Sequence, residues 1–378
     1  MSDATRSVLL AAGGTGGHLF PAFALAQELA RRGFAVDLAT DTRGDRYGTG
    51  FPARNIYQVP SATLGEKSPA ALARTALALV RGVRTARRLL KTIEPAAVVG
   101  FGGYPTFPPL LAARMLGVPA ALHEQNAVLG RANRMLAKRV TLIATSFEET
   151  KFLAGPLLAK VRLTGNPVRD AVIEAAREPY RAPEPGGAFA LLVFGGSQGA
   201  RFFADAVPPA LSALAPELGS RLSVVHQARE EDLDRVRAAY AAAGIAAEVE
   251  PFFKALPELM AKSHLVIARA GASTVAELAV VGRPAILVPL PHSLDKDQLM
   301  NATRLAESGG AWCIEQTALS PERLSREILR LARDPAALDG AARAAKAHGR
   351  PDAVRRLADL VEDLVAAGSR RGKVWLSG

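Results

Sequence analysis

The sequence predicts an α/β protein built from two doubly wound parallel sheets, and three observations predict it. Short apolar runs alternate with helical periodicity along the chain, the pattern of βα units. The two halves echo each other: LLAAGGTGGH (9–18) and LLVFGGSQGA (191–200) each read as a strand, then Gly-Gly, a hydroxyl residue, one more residue and glycine. Between them AREPYRAPEPGG (176–187) is rich in proline, glycine and charge, as an interdomain linker is. At 378 residues the chain also exceeds one ordinary core.

The strands of the first half are SVLLAA, FAVDLAT, AAVVGF, AALHE and VTLIATS; those of the second are FALLVFG, RLSVVHQ, AEVEPF, HLVIARA and PAILVPL. Helical patterns occupy Pro21–Arg32, Ala70–Thr92, Arg131–Ala137, Glu230–Ala243 and Thr274–Val281. The N-terminal domain is placed at residues 1–168 and the C-terminal one at 188–350, with 169–187 between them. A last helical stretch, 351–368, is expected to pack back on the N-terminal domain.

Composition bounds the function. No window approaches the roughly 18 uninterrupted apolar residues of a spanning helix. No basic segment precedes Val8–Ala12, which speaks against a signal peptide. One cysteine, Cys313, forbids an internal disulfide and suits a reducing cytoplasm; within AWCIE it reads as a buried thiol rather than a nucleophile. The net charge of +11 calls for an anionic partner: nucleic acid, anionic lipid or a phosphorylated substrate. Basic segments interleaved with aromatics and zinc-finger spacings are both missing, so no nucleic acid partner is expected; membrane and phosphate remain.

Four strand exits carry glycine: GGTGG (13–17), GFGGYP (100–105), GGSQG (195–199) and RAGAST (269–274). Glycine there brings backbone close to a ligand and leaves helix N-terminal N–H groups for an anion. GGTGG fits neither G-x-G-x-x-G nor a Walker A loop, and Asp37 lies inside its strand rather than at the end. In RAGASTVAEL, Ser273 or Thr274 can cap a helix, and Thr274 with Glu277 fits a capping box. The same residues also fit a ligand site, with the N–H groups of Ala272, Ser273 and Thr274 facing a diphosphate and Glu277 accepting from a ribose diol.

With these motifs in view the chain resembles the MurG family, the bacterial glycosyltransferases that make lipid II. GGTGGHLFPAFALAQEL, GFGGYPTFPPLLAA, HEQNAVLGRANR, TGNPVR, GGSQGA, RAGASTVAEL and the stretch ending in DKDQLMNA occur in the family's order, spanning about residues 8–365. The resemblance implies a glycosyltransferase-B fold, two Rossmann-like domains facing a cleft. It implies transfer of GlcNAc from UDP-GlcNAc to the 4-hydroxyl of MurNAc in undecaprenyl-diphosphoryl-MurNAc-pentapeptide (lipid I), with inversion. On the donor it implies Arg169, Ser197, Ala272, Ser273 and Thr274 near the diphosphate, the Phe253 backbone on uracil, Glu277 on ribose, and Gln298 beside Asp297 on the sugar. Thr15, Gly16, Gly17 and Asn126 close over that sugar, and Gly13, Gly14, Gly102, Gly103 and Tyr104 receive the acceptor diphosphate. The chain departs from the family at Phe253, where an aliphatic residue is usual; a backbone contact survives the change, while the ring reshapes the base slot.

An inverting transfer needs a base for the attacking hydroxyl, and His18, at the lip of the glycine loop, is the leading candidate because imidazole titrates near neutrality. Glu124 in HEQN is the other; each also has a structural reading, as a helix-start and a loop-tethering residue respectively. For the departing UDP the expectation is the helix start at 272–274 with Arg169 and no obligatory metal; of two Asp-x-Asp matches, Asp232/Asp234 reads as charged surface and Asp295/Asp297 as sugar-contacting loop.

A membrane-bound acceptor requires docking. In 70–92, Leu72, Ala76, Leu79, Val83, Ala86 and Leu90 share one helical face and Arg81, Arg84, Arg88 and Lys91 another, which suits either an anionic bilayer or a packed helix with a solvated basic side. The expected location is the cytoplasmic face of the bacterial inner membrane, peripherally, with other cell-wall synthesis proteins as further partners. Two rivals stand beside this reading: another UDP-sugar enzyme such as a UDP-GlcNAc 2-epimerase, and a non-catalytic basic nucleic-acid-binding protein, which steeply salt-dependent DNA binding would reveal.

Overall fold

A computed structural model describes residues 6–13, 15–41, 50–61, 68–196 and 199–374. The chain divides into two compact units, one of residues 1–169 with 352–378 and the other of residues 170–351.

The first unit holds a seven-stranded parallel sheet of β1 (Ser7–Ala11), β2 (Ala35–Thr40), β3 (Asn55–Gln58), β4 (Ala97–Gly100), β5 (Ala120–Glu124), β6 (Leu142–Thr145) and β7 (Val161–Leu163), in the order β3-β2-β1-β4-β5-β6-β7. β1 shows why its run is continuously apolar. Val8 and Leu10 join a core with helices Gly16–Arg31 and Ala353–Val374, while Leu9 and Ala11 join an opposite core with Leu90 and Leu110. A strand covered on both faces has no polar side to alternate with. The C-terminal helix is held to this unit by Leu357, Val361 and Leu364 in the first core, and by Arg32 pairing with Asp359 and Glu362 at 2.6 and 3.1 Å.

The second unit repeats the plan with six strands. β8 (Phe189–Phe194), β9 (Leu222–Gln227), β10 (Ala246–Glu250), β11 (Leu265–Ala268), β12 (Ala285–Leu287) and β13 (Ala311–Cys313) pair in the order β10-β9-β8-β11-β12-β13. The segment after Arg169 is packed rather than extended. Helix Asp170–Ala175 lies against helices Leu256–Lys262 and Ala272–Val281, and buried Arg283 donates to the carbonyls of Glu178 and Val281.

In both parallel sheets the strand order reverses at the same place, between β1 and β4 in one and between β8 and β11 in the other. Open α/β folds bind ligands at such switch points, beyond the carboxyl ends of the strands. All four glycine-bearing exits follow these four strands, two at each switch point.

Three strands are unmarked or only weakly marked in the sequence: β3, β7 and β13. Each is short and lies at a sheet edge. β3 is secured by Asp37, fully buried on β2, which accepts from Arg54 at 2.6 Å and Asn55 at 3.1 Å. Asp37 is thereby a structural anchor. Helix Gly16–Arg31 also begins five residues before the expected Pro21, which lies inside the helix rather than at its start. His18 therefore belongs to the first turn of a helix rather than to a loop.

Candidate functional site

In the first unit the two loops at the switch point are tied together. Gly13 N–H donates to Gly102 O (3.1 Å), and the buried Thr106 hydroxyl lies 2.7 Å from Gly102 O and 3.1 Å from Ala11 O. The His18 ring rests against this seam. Gly102 sits at φ +92°, and a Cβ there would stand 3.1 Å from His18 Cε1, so glycine serves both the backbone turn and the ring's closeness. Gly13 N–H is engaged by Gly102 and is not a donor for an acceptor diphosphate. Gly103, also at positive φ, precedes the turn Tyr104–Thr106, with Tyr104 half-buried. Gly14 lies outside the described residues. Thr15, exposed, precedes the helix without capping it through its side chain; Gly16 is buried and Gly17 exposed in its first turn.

The HEQN stretch follows β5 and lies against His18. His18 Nδ1 is 3.2 Å from Gln125 Oε1. Gln125 Nε2 is 3.0 Å from His123 Nδ1 and donates to the His123 carbonyl at 3.1 Å. His123 Nε2 meets Gly165 O at 2.9 Å. Burial drives the His123 pKa down to about 4, with the Gly165 hydrogen bond opposing and His18 reinforcing the shift, so the ring is neutral near pH 7.

Glu124 is corrected as a base candidate. Its carboxylate is buried and accepts four hydrogen bonds: Asn126 N–H and Nδ2 at 3.0 and 3.2 Å, and Gly130 N–H and Asn133 Nδ2, both at 2.8 Å. Two oxygens offer about four lone-pair sites, and all are taken. Glu124 tethers the loop 126–133, and Asn126 is one of the groups it holds.

The Arg169 guanidinium lies 4.4 Å from the Phe20 ring centroid, over the helix that carries His18.

In the second unit Gly195 opens the loop after β8. A Cβ there would approach Ala200 N to 2.3 Å, so only glycine fits. Ser197 lies outside the described residues. The helix Ala272–Val281 is capped by Gly271, with no side-chain cap bond, and its first helical bond runs from Val275 N–H to Gly271 O at 3.0 Å. The capping-box expectation for Thr274 and Glu277 is therefore overturned: Thr274 lies inside the helix, three residues past the cap. The N–H groups of Ala272, Ser273 and Thr274 precede the first helical bond and point outward. Ser273 Oγ is buried with no hydrogen-bond partner among the described residues. Glu277 is 6% exposed, one turn further along the same helix.

Residues not singled out in the sequence support this turn. Arg269 donates to the carbonyls of Val288 and Pro289 and to Gln316 (2.6 Å), burial bringing its pKa down to about 10. Asn301 Nδ2 donates to Ala270 O at 3.1 Å. A basic or amide residue beside a glycine turn was the available signal.

Phe253 is half-buried in the loop after β10, beside the exposed Phe252. Gln298 Oε1 accepts from Leu290 N–H at 3.0 Å, and Asp297 caps the Gln298 N–H at 2.7 Å. Lys296 and Asp295 both hold left-handed backbone there. Of the other Asp-x-Asp pair, Asp232 is bound to Arg235 at 2.7 Å and Asp234 stands in solvent.

Comparison with known proteins covers both units. Residues 8–145 match the glycosyltransferase family 28 N-terminal domain, and residues 190–357 match the glycosyltransferase family 28 C-terminal domain. A relative from Sinorhizobium fredii (strain NBRC 101917 / NGR234), named UDP-N-acetylglucosamine–N-acetylmuramyl-(pentapeptide) pyrophosphoryl-undecaprenol N-acetylglucosamine transferase, is 55% identical over 97% of each chain. The crystal structure of Acinetobacter baumannii MurG matches with a TM-score of 0.76 at 30% identity, covering 95% of this chain and 99% of that one. A UDP-N-acetylglucosamine 2-epimerase structure matches at TM-score 0.64 and 17% identity, over 93% and 94% of the two chains, a likeness of fold alone.

Proposed function

The chain belongs to glycosyltransferase family 28, and we propose that it moves GlcNAc from UDP-GlcNAc to the 4-hydroxyl of MurNAc in lipid I, forming lipid II with inversion. The observation that carries this is 55% identity to a named transferase over 97% of each chain, a span that takes in both units. The epimerase likeness, at 17% identity, extends to the fold and no further.

In the proposed reaction the donor diphosphate lies at the start of helix Ala272–Val281, where three outward N–H groups and the positive helix end offset the charge growing on departing UDP. Glu277 accepts from the ribose diol, the Phe253 backbone reads uracil, and Asp297 with Gln298 meets the sugar. His18 takes the proton of the attacking 4-hydroxyl. The electron pair of the broken anomeric C–O bond leaves with UDP, and the hydroxyl oxygen forms the new β-1,4 bond. No obligatory metal enters this scheme, because helix N–H groups supply the electrostatic work.

Docking at an anionic membrane surface is assigned to the first unit. Helix Pro69–Ile93 divides along its length: Ala86 and Leu90 are core residues, while Leu77 and Val80 are about half exposed. Of the apolar face expected from the sequence, Ala86 and Leu90 are buried, Leu79 and Val83 are half-buried and Ala76 is exposed; the side chain of Leu72 is not among those described. Leu79, Val80 and Val83 form a groove with Phe107, Leu111 and Met115, flanked by Arg84 and Arg87. Apolar side chains beside two arginines suit an anionic bilayer interface, each basic residue contributing about 1 kcal/mol. Among the described residues no helix is long and apolar enough to cross a membrane.

Transfer of labelled GlcNAc onto a lipid I analogue, with and without EDTA, tests the reading. Label in the lipid disaccharide under both conditions is expected; loss in EDTA overturns the metal-free account, and no transfer overturns the function. The same assay with acceptor in anionic and then neutral vesicles is expected to run faster on the anionic ones, and equal rates would remove the docking assignment.

A further inference from the structure

The network beside His18 has a direction, and two backbone carbonyls set it. Gly165 O only accepts, so His123 Nε2 carries the proton of that 2.9 Å bond. A neutral His123 then offers Nδ1 as an acceptor, and the Gln125 amide nitrogen, 3.0 Å away, is the donor that satisfies it. The His123 carbonyl, 3.1 Å from the same nitrogen, independently fixes which end of the amide is NH₂. Gln125 must therefore present its oxygen to His18, and an amide oxygen only accepts. The 3.2 Å contact is thus a bond from His18 Nδ1–H to Gln125 Oε1.

We infer that Gln125 is a positioning residue that locks His18 as the Nδ1–H tautomer and so makes Nε2 the nitrogen that receives the substrate proton. The inference rests on the reading of His18 as base and adds what that reading leaves open: which nitrogen acts and what holds it ready. When the acceptor hydroxyl gives its proton to Nε2, the ring becomes an imidazolium that still donates through Nδ1, and the amide oxygen faces the new charge. Buried Gln125 and His123, 1% and 0% exposed, have no water to compete for these bonds. His123 keeps the chain directed because burial holds it neutral, with a pKa of about 4. The backbone contributes the rest, since Gly102 leaves the space that lets the ring lie flat enough to reach the amide.

The test uses the full-length chain labelled with ¹⁵N-histidine, whose imidazole nitrogens report protonated and unprotonated sites directly. His18→Ala and His123→Gln identify the two sets of signals. In the wild type His18 is expected to be protonated at Nδ1 and His123 at Nε2. Gln125→Leu is expected to release His18 into a tautomer mixture and to lower kcat about 10- to 100-fold, with KM for UDP-GlcNAc changed less than about 2-fold, because a misaligned base forfeits part of its roughly 100- to 10,000-fold contribution. On a His18→Ala background Gln125→Leu is expected to add no further loss. A wild-type His18 protonated at Nε2 overturns the inference, and so does an equal loss from Gln125→Leu with and without His18. If His18→Ala itself keeps full kcat, the base reading falls, while the wild-type spectrum still decides the tautomer.

Discussion

The two switch points of this molecule share a topology and a glycine vocabulary yet are furnished for different chemistry. At the first, backbone N–H groups are spent internally: Gly13 donates to Gly102, Thr106 binds both loops, and the glycines make room for an imidazole in a directed hydrogen-bond chain. At the second, the helix start is capped by glycine alone, three N–H groups point outward and Ser273 Oγ is buried without a partner among the described residues. The first arrangement suits holding and moving a proton; the second suits an anion. Duplicated architecture sets where a site forms, and the side chains at each loop set what it does.

The comparison can be broken at either end. The largest effect is expected at the first: His18→Ala should lower kcat at least about 100-fold while leaving UDP-GlcNAc affinity near wild type, read by steady-state kinetics beside direct donor titration. A variant that instead lost donor affinity would erase the distinction between the two loops. At the second, Glu277→Ala should weaken UDP-GlcNAc binding about 10- to 100-fold, the worth of hydrogen bonds to a carboxylate, with a smaller effect on kcat. Calorimetry showing unchanged donor affinity would reduce Glu277 to a helix-packing residue.

A subtler contrast lies in two buried histidines, one on a strand of each sheet. His123 has its pKa lowered to about 4 and His226, bonded to Tyr240 at 2.8 Å, to about 3, burial being the leading cause in both. Near the ordinary value of 6.5 the unfolded chain begins to bind protons that the folded one refuses. Stability is therefore complete above about pH 6.5 and falls as pH drops towards 4, by about 3 kcal/mol for each histidine. The melting temperature of His226→Phe is expected to fall less steeply across that window than the wild type's. Parallel curves would mean that His226 is solvated in the native state. His123 is the one whose neutrality also serves the site, so its substitution should cost activity where that of His226 should not.

Much of this was legible in the sequence. Central strands buried on both faces, such as β1 with Leu9 and Leu10, write themselves as unbroken apolar runs, and glycine at four strand exits marks the loops. The repeat of GGTGG and GGSQG announced two related halves. Residue types with one chemical talent, such as His18 and Glu277, could be nominated by position alone.

Tertiary structure decided the rest, for reasons of distance. Edge strands β3, β7 and β13 bury too little to carry a signal and exist because neighbours bind them, as Asp37 binds Arg54 and Asn55. Glu124 and Gln125 are adjacent in sequence and point to opposite fates: one carboxylate is closed off by four donors reaching from residues up to nine positions away, while one amide reaches a ring 107 positions away. A sequence states which groups are available. Whether a carboxylate is free to take a proton, or an amide is turned to hold one, depends on which donors the fold brings within hydrogen-bond reach.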